Sequence, residues 1–175
     1  MKNIVLTGFM GTGKSTVGRR LARELKCRFL DIDEMIEQEA GSPVRDIFAI
    51  HGEGRFRDLE RGVIRKLVSA RGVATVVATG GGAVADASNR AALRGWATVV
   101  CLRASIEAIL ARVGGAQDRP LLSAPGRKEA IEKLLAQRDE AYRDCDLAVD
   151  TTGKTVDEIA AIIMDYLSRK GARDK

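Results

Sequence analysis

The sequence predicts an α/β fold, a parallel sheet covered by helices on both faces, on three observations. Short apolar, β-branched runs alternate with helix-period segments along the chain. Those runs read as continuous apolar stretches, as buried parallel strands do. A glycine-rich loop joins the first run to the first helical segment. The length, 175 residues, fits a single domain over 1–175, and 45% apolar residues with few aromatics suits an aliphatic core.

Ile4 to Thr7 is a short buried strand ending at a glycine loop. Val17, Leu21 and Leu25 recur at helical spacing, so a helix follows that loop. Phe29 to Ile32 is a second strand. Short helices are predicted over Met35–Ala40 and Val44–Ile50, broken at Gly41-Ser42-Pro43. Phe56, Leu59, Val63 and Leu67 mark a longer amphipathic helix, and Val73–Thr79 is a buried strand that stops at three glycines. A helix over Ala85–Leu93 and a strand over Ala97–Leu102 follow, and Ser105 is placed to cap a helix over Ile106–Val113. Residues 114–126 read as a loop. Ile131, Leu134, Leu135 and Tyr142 form a helical stripe, Leu147–Val149 is a last strand, and Val156–Leu167 is a closing helix with a frayed tail from Arg169.

Composition narrows the function classes. No apolar run is long enough to span a membrane, and the first residues read as a strand and not as a secretion signal. Cys27, Cys101 and Cys145 form no C-x-x-C pair, so buried free thiols in a reducing cytoplasm are expected. The net charge of +5 comes from Lys and Arg interspersed with Asp and Glu, without a basic run. That pattern favours arginines gathered around small anions over a nucleic-acid surface. His51, the single histidine, reads as a helix-end residue, and Trp96 as a packing residue.

The chemistry starts at Gly8-Phe9-Met10-Gly11-Thr12-Gly13-Lys14-Ser15, which fits G-x-x-x-x-G-K-[ST] between a strand and a helix. Glycines let successive backbone N–H groups turn toward phosphate oxygens, and the following helix presents its positive end to the same anion. Gly11, Thr12, Gly13, Lys14, Ser15 and Thr16 are therefore expected to bind ATP, with Lys14 on the β- and γ-phosphates and Ser15 as the Mg²⁺ ligand.

Asp31 and Asp33 lie at the end of the second strand, where ligands gather in open α/β sheets. If the strand persists, their spacing puts both on one side, one for Mg²⁺ waters and one for a hydroxyl proton; the alternative is a pair of helix-capping aspartates. Arg57 and Glu60 are i, i+3 neighbours on a helix, so the glutamate can hold a guanidinium that grips a carboxylate, unless the two are a plain surface ion pair. Gly80, Gly81 and Gly82 suggest a backbone that a ligand approaches closely. The strand before them ends in Thr79 and not in an aspartate, which shifts the magnesium burden to Ser15 and, through water, to Asp31. Arg119 lies in the long loop at 114–126, a candidate lid whose arginine would meet the γ-phosphate, and Arg143 is a second guanidinium candidate or simply a cation at a helix end.

Together these pieces resemble the shikimate kinase family. The carrying residues are GFMGTGKST at Gly8–Thr16, LDID at Leu30–Asp33, Phe56-Arg57 with Glu60, TGGG at Thr79–Gly82, RPLL at Arg119–Leu122, and Tyr142-Arg143. The resemblance implies a three-layer α/β/α P-loop fold of the nucleoside monophosphate kinase type with a five-stranded parallel sheet. It divides the chain into a phosphate loop at 8–16, a substrate-binding helical region at about 33–61 and a lid at about 114–126. It implies ATP-dependent phosphorylation of the 3-hydroxyl of shikimate in a cytoplasmic, monomeric enzyme, with Mg²⁺ and without nucleic-acid or membrane partners. By the same resemblance Asp33 holds the reacting hydroxyls as orienting group or base, Arg57, Arg143 and the glycine run bind the shikimate carboxylate, Arg119 contacts phosphate, and Arg112 stacks on adenine. The segment Val149–Lys154 looks like the adenine loop, without the proline some members carry there. The rival readings are a kinase for another hydroxy acid such as gluconate, a nucleotide kinase, or a non-catalytic nucleotide-binding regulator.

Overall fold

The computed structural model describes residues 3–70, 72–113 and 126–173. In chain order they form β1 (Asn3–Thr7), α1 (Lys14–Glu24), β2 (Arg28–Asp31), α2 (Ile32–Ala40), α3 (Val44–Ser69), β3 (Thr75–Ala78), a short 3-10 turn (Ala83–Ala85), α4 (Ala87–Trp96), β4 (Ala97–Arg103), α5 (Ile106–Val113), α6 (Arg127–Arg143), β5 (Leu147–Asp150) and α7 (Val156–Arg173). The strands make one parallel sheet in the order β2-β3-β1-β4-β5. The expected lid falls, except for Gly126, outside the described residues.

The sheet's two faces explain the continuous apolar runs. Side chains alternate across a strand, so Ile4 and Leu6 of β1 face one way and Val5 the other. Val5, Val77, Val99 and Cys101 pack with Ile32, Ile64, Ile109 and Ile131 beneath α2 to α6. Ile4, Leu6, Val76, Val100 and Leu102 pack with Val17, Leu21, Ile159 and Ile163 beneath α1 and α7. Both faces are buried, so neither can carry polar residues in alternation.

β1 lies between β3 and β4, with Val5 opposite Val77 and Val99. The loops leaving β1 and β3 therefore come out side by side at the carboxyl edge of the sheet, where open α/β folds bind ligands.

Several boundaries differ from the sequence reading. β2 stops at Asp31, and Ile32 already starts α2, because the Asp31 carboxylate accepts the Asp33 N–H at 3.1 Å and caps the helix. The strand does not persist through Asp33, so the same-side argument for the two aspartates fails. β3 is shorter than Val73–Thr79, and Val73 is exposed. The helix expected from Ala85 starts at Ala87, capped by Asp86. α7 continues through the tail expected to fray, to Arg173. α3 is one element with a break at Gly52 (φ 75°, ψ 174°), which separates the two predicted helices, and the exposed His51 sits just before it. Ser105 caps α5 as expected, accepting the Ala108 N–H at 3.2 Å. Only Cys101 of the three free thiols is buried; Cys27 and Cys145 are half-buried.

Candidate active site

The phosphate loop leaves β1 through Gly8 at φ +127°, where a Cβ would lie 2.1 Å from the Leu102 carbonyl oxygen, so no side chain fits. The Thr12 hydroxyl donates to the Phe9 carbonyl at 2.8 Å and braces the loop. Lys14 is buried, and its Nζ donates to the Gly8 and Phe9 carbonyls at 2.9 and 2.8 Å, so the ammonium lies over the mouth of the loop. Gly11 and Gly13 carry positive φ, and Gly13 leads directly into α1. Thr16, one residue further, is exposed. Ser15 Oγ donates to Asp31 Oδ2 at 2.6 Å.

Asp33 sits in the first turn of α2 and faces the glycine run: a Cβ on Gly80 would lie 2.8 Å from Asp33 Oδ1 and 3.2 Å from Glu60 Oε1. Arg57 comes from α3, and a Cβ on Gly82 would lie 2.5 Å from its Nη2. Two carboxylates and a guanidinium thus crowd against one stretch of bare backbone, which is the physical reason for consecutive glycines.

Arg57 Nη1 donates to Glu60 Oε2 at 2.8 Å, and Arg57 also pairs with Glu53 at 3.0 Å. Glu60 is fully buried, so this is no surface pair. Burial pushes the Glu60 carboxyl up, and the Arg57 guanidinium offsets this only in part. Burial disfavours the Arg57 charge, but its carboxylate partners outweigh that and the guanidinium is held above its ordinary value.

The structure places the second guanidinium candidate, Arg143, away from the glycine run. Arg143 is 71% exposed at the end of α6 and pairs with Asp139 at 2.7 Å, outside the cluster. Arg138 lies against the glycine run instead: its Nη1 donates to the Gly81 carbonyl at 3.2 Å, and the Tyr142 hydroxyl donates to the same oxygen. Arg138 and Tyr142 are four apart on α6 and share a face, whereas Arg143, next after Tyr142, is turned about 100° away. That i, i+4 relation was the available signal, and adjacency to the tyrosine was the misleading one. Gly81 closes the arrangement, since a Cβ there would meet Met10 N of the phosphate loop at 3.2 Å.

On the opposite side, Arg112 Nη1 donates to the Gly11 carbonyl at 3.3 Å and to Thr151 Oγ1 at 2.9 Å, while Nη2 donates to the Thr151 carbonyl at 2.8 Å. The guanidinium therefore joins the phosphate loop to the segment that leaves β5. Arg119 lies outside the described residues.

The shikimate kinase family model matches residues 10–168. A shikimate kinase from Geobacter sulfurreducens is 49% identical over 166 residues, covering 95% of this chain and 91% of its own. The solved shikimate kinase from Acinetobacter baumannii in complex with shikimate superposes with a TM-score of 0.92 at 37% identity, covering 97% of this chain and 94% of its own. The shikimate kinase structure from Aquifex aeolicus gives 0.84 at 32% identity, over 97% and 98% of the two chains. With the family model matching nearly the whole chain and relatives this similar along it, this chain belongs to the shikimate kinase family.

Proposed function

We propose that the chain transfers the γ-phosphoryl group of ATP to the 3-hydroxyl of shikimate, giving shikimate 3-phosphate and ADP on the route to chorismate and the aromatic amino acids. One observation carries the reading: Asp33, the Glu60–Arg57 pair and Arg138 face a run of bare glycine backbone that abuts the phosphate loop of Lys14. A hydroxylated carboxylic acid matches that set, with guanidinium groups for its carboxylate and a carboxylate for its hydroxyls. The Acinetobacter relative, solved with shikimate, supports the same acceptor.

Arg57, fixed by Glu60, and Arg138 hold the acid. Asp33 orients the attacking hydroxyl and is the base placed to take its proton as the oxygen bonds to phosphorus and the bond to ADP breaks. Lys14 neutralises charge developing on the phosphoryl group, as does Arg119 of the lid. The loop from Gly11 to Thr16 holds the phosphates, and Arg112 holds adenine. Ser15 and Asp31 are oxygen donors held 2.6 Å apart, a set that suits Mg²⁺ together with phosphate oxygens. Held by Ser15 and Asp31, Mg²⁺ would supply positive charge against the phosphates.

We also assign a cytoplasmic monomer without nucleic-acid partners, acting as one kinase domain of phosphate loop, acceptor region and lid. Charges of both signs are interspersed along the chain, and no helix among the described residues is long and apolar enough to cross a membrane. ADP release measured with shikimate, gluconate and nucleoside monophosphates tests the reading. Turnover is expected with shikimate and not with the others; preference for another acceptor would refute it. Asp33→Asn should keep ATP binding and lose nearly all turnover.

A further inference from the structure

The glycine run that faces the acceptor does not hold itself in place. Its two internal bonds, Ala83 N to the Gly80 carbonyl at 3.2 Å and Ala85 N to the Gly82 carbonyl at 3.0 Å, wind it into the short turn before α4. The carbonyls of that turn point toward α4, which answers with side chains. Asn89 is 3% exposed, and its Nδ2 donates to the Ala83 carbonyl at 3.1 Å. Arg90 Nη1 donates to the Val84 carbonyl at 2.7 Å and the Ala85 carbonyl at 3.2 Å. The other edge of the same guanidinium lies 3.6 Å from Asp144, just past the α6 helix that carries Arg138 and Tyr142. Asp86 caps α4 by accepting the Ser88 and Asn89 N–H groups at 2.8 and 3.2 Å, and takes Arg61 of α3 at 3.1 Å. The first turn of α4 thus contacts the glycine turn, Arg61 of α3 and Asp144 just past α6.

We propose that Asn89 and Arg90 are positioning residues for the acceptor: they hold the carbonyls of residues 83–85 and so set the distance of Gly80–Gly82 from Asp33 and Arg57. The inference rests on the acceptor site assigned above. Close packing makes it sensitive, because the glycine backbone already approaches Asp33 and Arg57 as nearly as bare backbone can. A shift of a few tenths of an ångström in the turn changes how the glycine N–H groups and the arginine meet a shared carboxylate. The residues assigned to ATP, Gly11–Thr16 and Arg112, are not on α4.

The test compares wild type with Asn89→Ala, Asn89→Asp (same shape, no amide donor) and Arg90→Met (stem kept, donors removed). Steady-state constants for shikimate and ATP are read together with amide hydrogen exchange at Ala83 and Ala85. The expected result is an increase of about tenfold in KM for shikimate, with KM for ATP within about twofold, and faster exchange at the two turn amides. Equal changes in both KM values would mean general loosening of the fold and would overturn the proposal, as would an unchanged KM for shikimate in all three variants. Should Asn89→Ala fold poorly, Arg90→Met, whose side chain is outside the core, gives the same decision. Exchange at Ala83 and Ala85 does not depend on acceptor identity. If wild type failed to use shikimate, the assigned reaction would fall, while unaltered exchange in the variants would separately overturn the positioning role.

Discussion

Ser15 and Asp31, sixteen residues apart, share one hydrogen bond of 2.6 Å from hydroxyl to carboxylate. The other Asp31 oxygen accepts the Asp33 N–H at 3.1 Å. A single carboxylate therefore ties the hydroxyl expected to ligate Mg²⁺ to the helical turn that carries the acceptor-side aspartate. Replacing it removes a contact from both halves of the site. Asp31→Ala is expected to lower kcat by about 10- to 100-fold and to move the Mg²⁺ dependence to higher concentration. Rates measured across a magnesium titration check this; an unshifted curve would free Asp31 from any part in metal binding. Chelation of Mg²⁺ should stop turnover in wild type and be reversed by adding the ion back.

The two arginines of α6 give a sharper contrast. Arg138 reaches the Gly81 carbonyl, and Arg143 stays 71% exposed beside Asp139. Exposed i, i+4 pairs of the second kind contribute little. Arg138→Met should raise KM for shikimate by roughly 10- to 100-fold, as loss of a guanidinium–carboxylate contact does, and Arg143→Ala should leave it within about twofold. Kinetics on both variants decide the matter, and the reverse ranking would restore Arg143 to the pocket.

These cases show which kinds of information the sequence carries. The phosphate loop was legible because its chemistry needs contiguous residues at fixed spacing, and the alternation of buried strands and helices follows from local periodicity. Arg57, Glu60 and the glycine run were legible for the same reason, each being a short local pattern. The direction of a side chain on a helix depends on a phase of about 100° per residue, so adjacency to Tyr142 points to Arg143, whereas the arginine on Tyr142's face, four residues before it, is Arg138. The Asp31–Ser15 bond, the Asn89 contact with the glycine turn and the Arg112–Thr151 bonds join distant segments, and no local pattern announces them. The end of β2 was missed because Asp31 caps a helix that starts inside an apolar run, where tertiary context outweighs strand propensity.

Glu60 introduces a pH dependence of definite sign. Burial raises its carboxyl above the ordinary 4.5, with Arg57 opposing, so the folded chain holds that proton more tightly than the unfolded one. The burial penalty on its charge is present above the raised pKa and is relieved as pH falls toward 4.5. Stability from this group therefore rises slightly on acidification, whereas function falls, because a neutral Glu60 no longer holds Arg57. KM for shikimate should climb as pH drops through the raised pKa, and Glu60→Gln should show the high KM at every pH. A parallel pH profile in wild type and variant would remove Glu60 from acceptor binding.

Cys101 and Cys145 meet across the junction of β4 with the segment after α6. The Cys101 side chain lowers Cys145 to about 7, and Cys145, together with burial, raises Cys101. Cys145 is half-buried and Cys101 fully so. Thiolate is the reactive form, so iodoacetamide should label Cys145 with a half-maximal rate near pH 7, while Cys101 stays unlabelled in the folded chain. Mass spectrometry of peptides from a pH series reads both sites. A Cys145 labelling curve centred above pH 8 would show that its surroundings, Cys101 included, do not favour its thiolate.

The tight approach of backbone to Arg57 gives the last prediction. A Cβ on Gly82 would stand 2.5 Å from Nη2 and 2.8 Å from Nη1, so Gly82→Ala forces the guanidinium aside. The far end of a flexible side chain yields more readily than backbone, so the fold survives and the damage falls on the salt bridge with Glu60 and on the shared carboxylate. Gly82 carries φ −104°, a region open to alanine, so backbone strain adds nothing. KM for shikimate should rise by about tenfold or more, with KM for ATP unchanged and the thermal midpoint lowered by only a few degrees. Unaltered binding of the acid would mean that Arg57 can leave the glycine run without losing the substrate, and its place in the pocket would have to be given up.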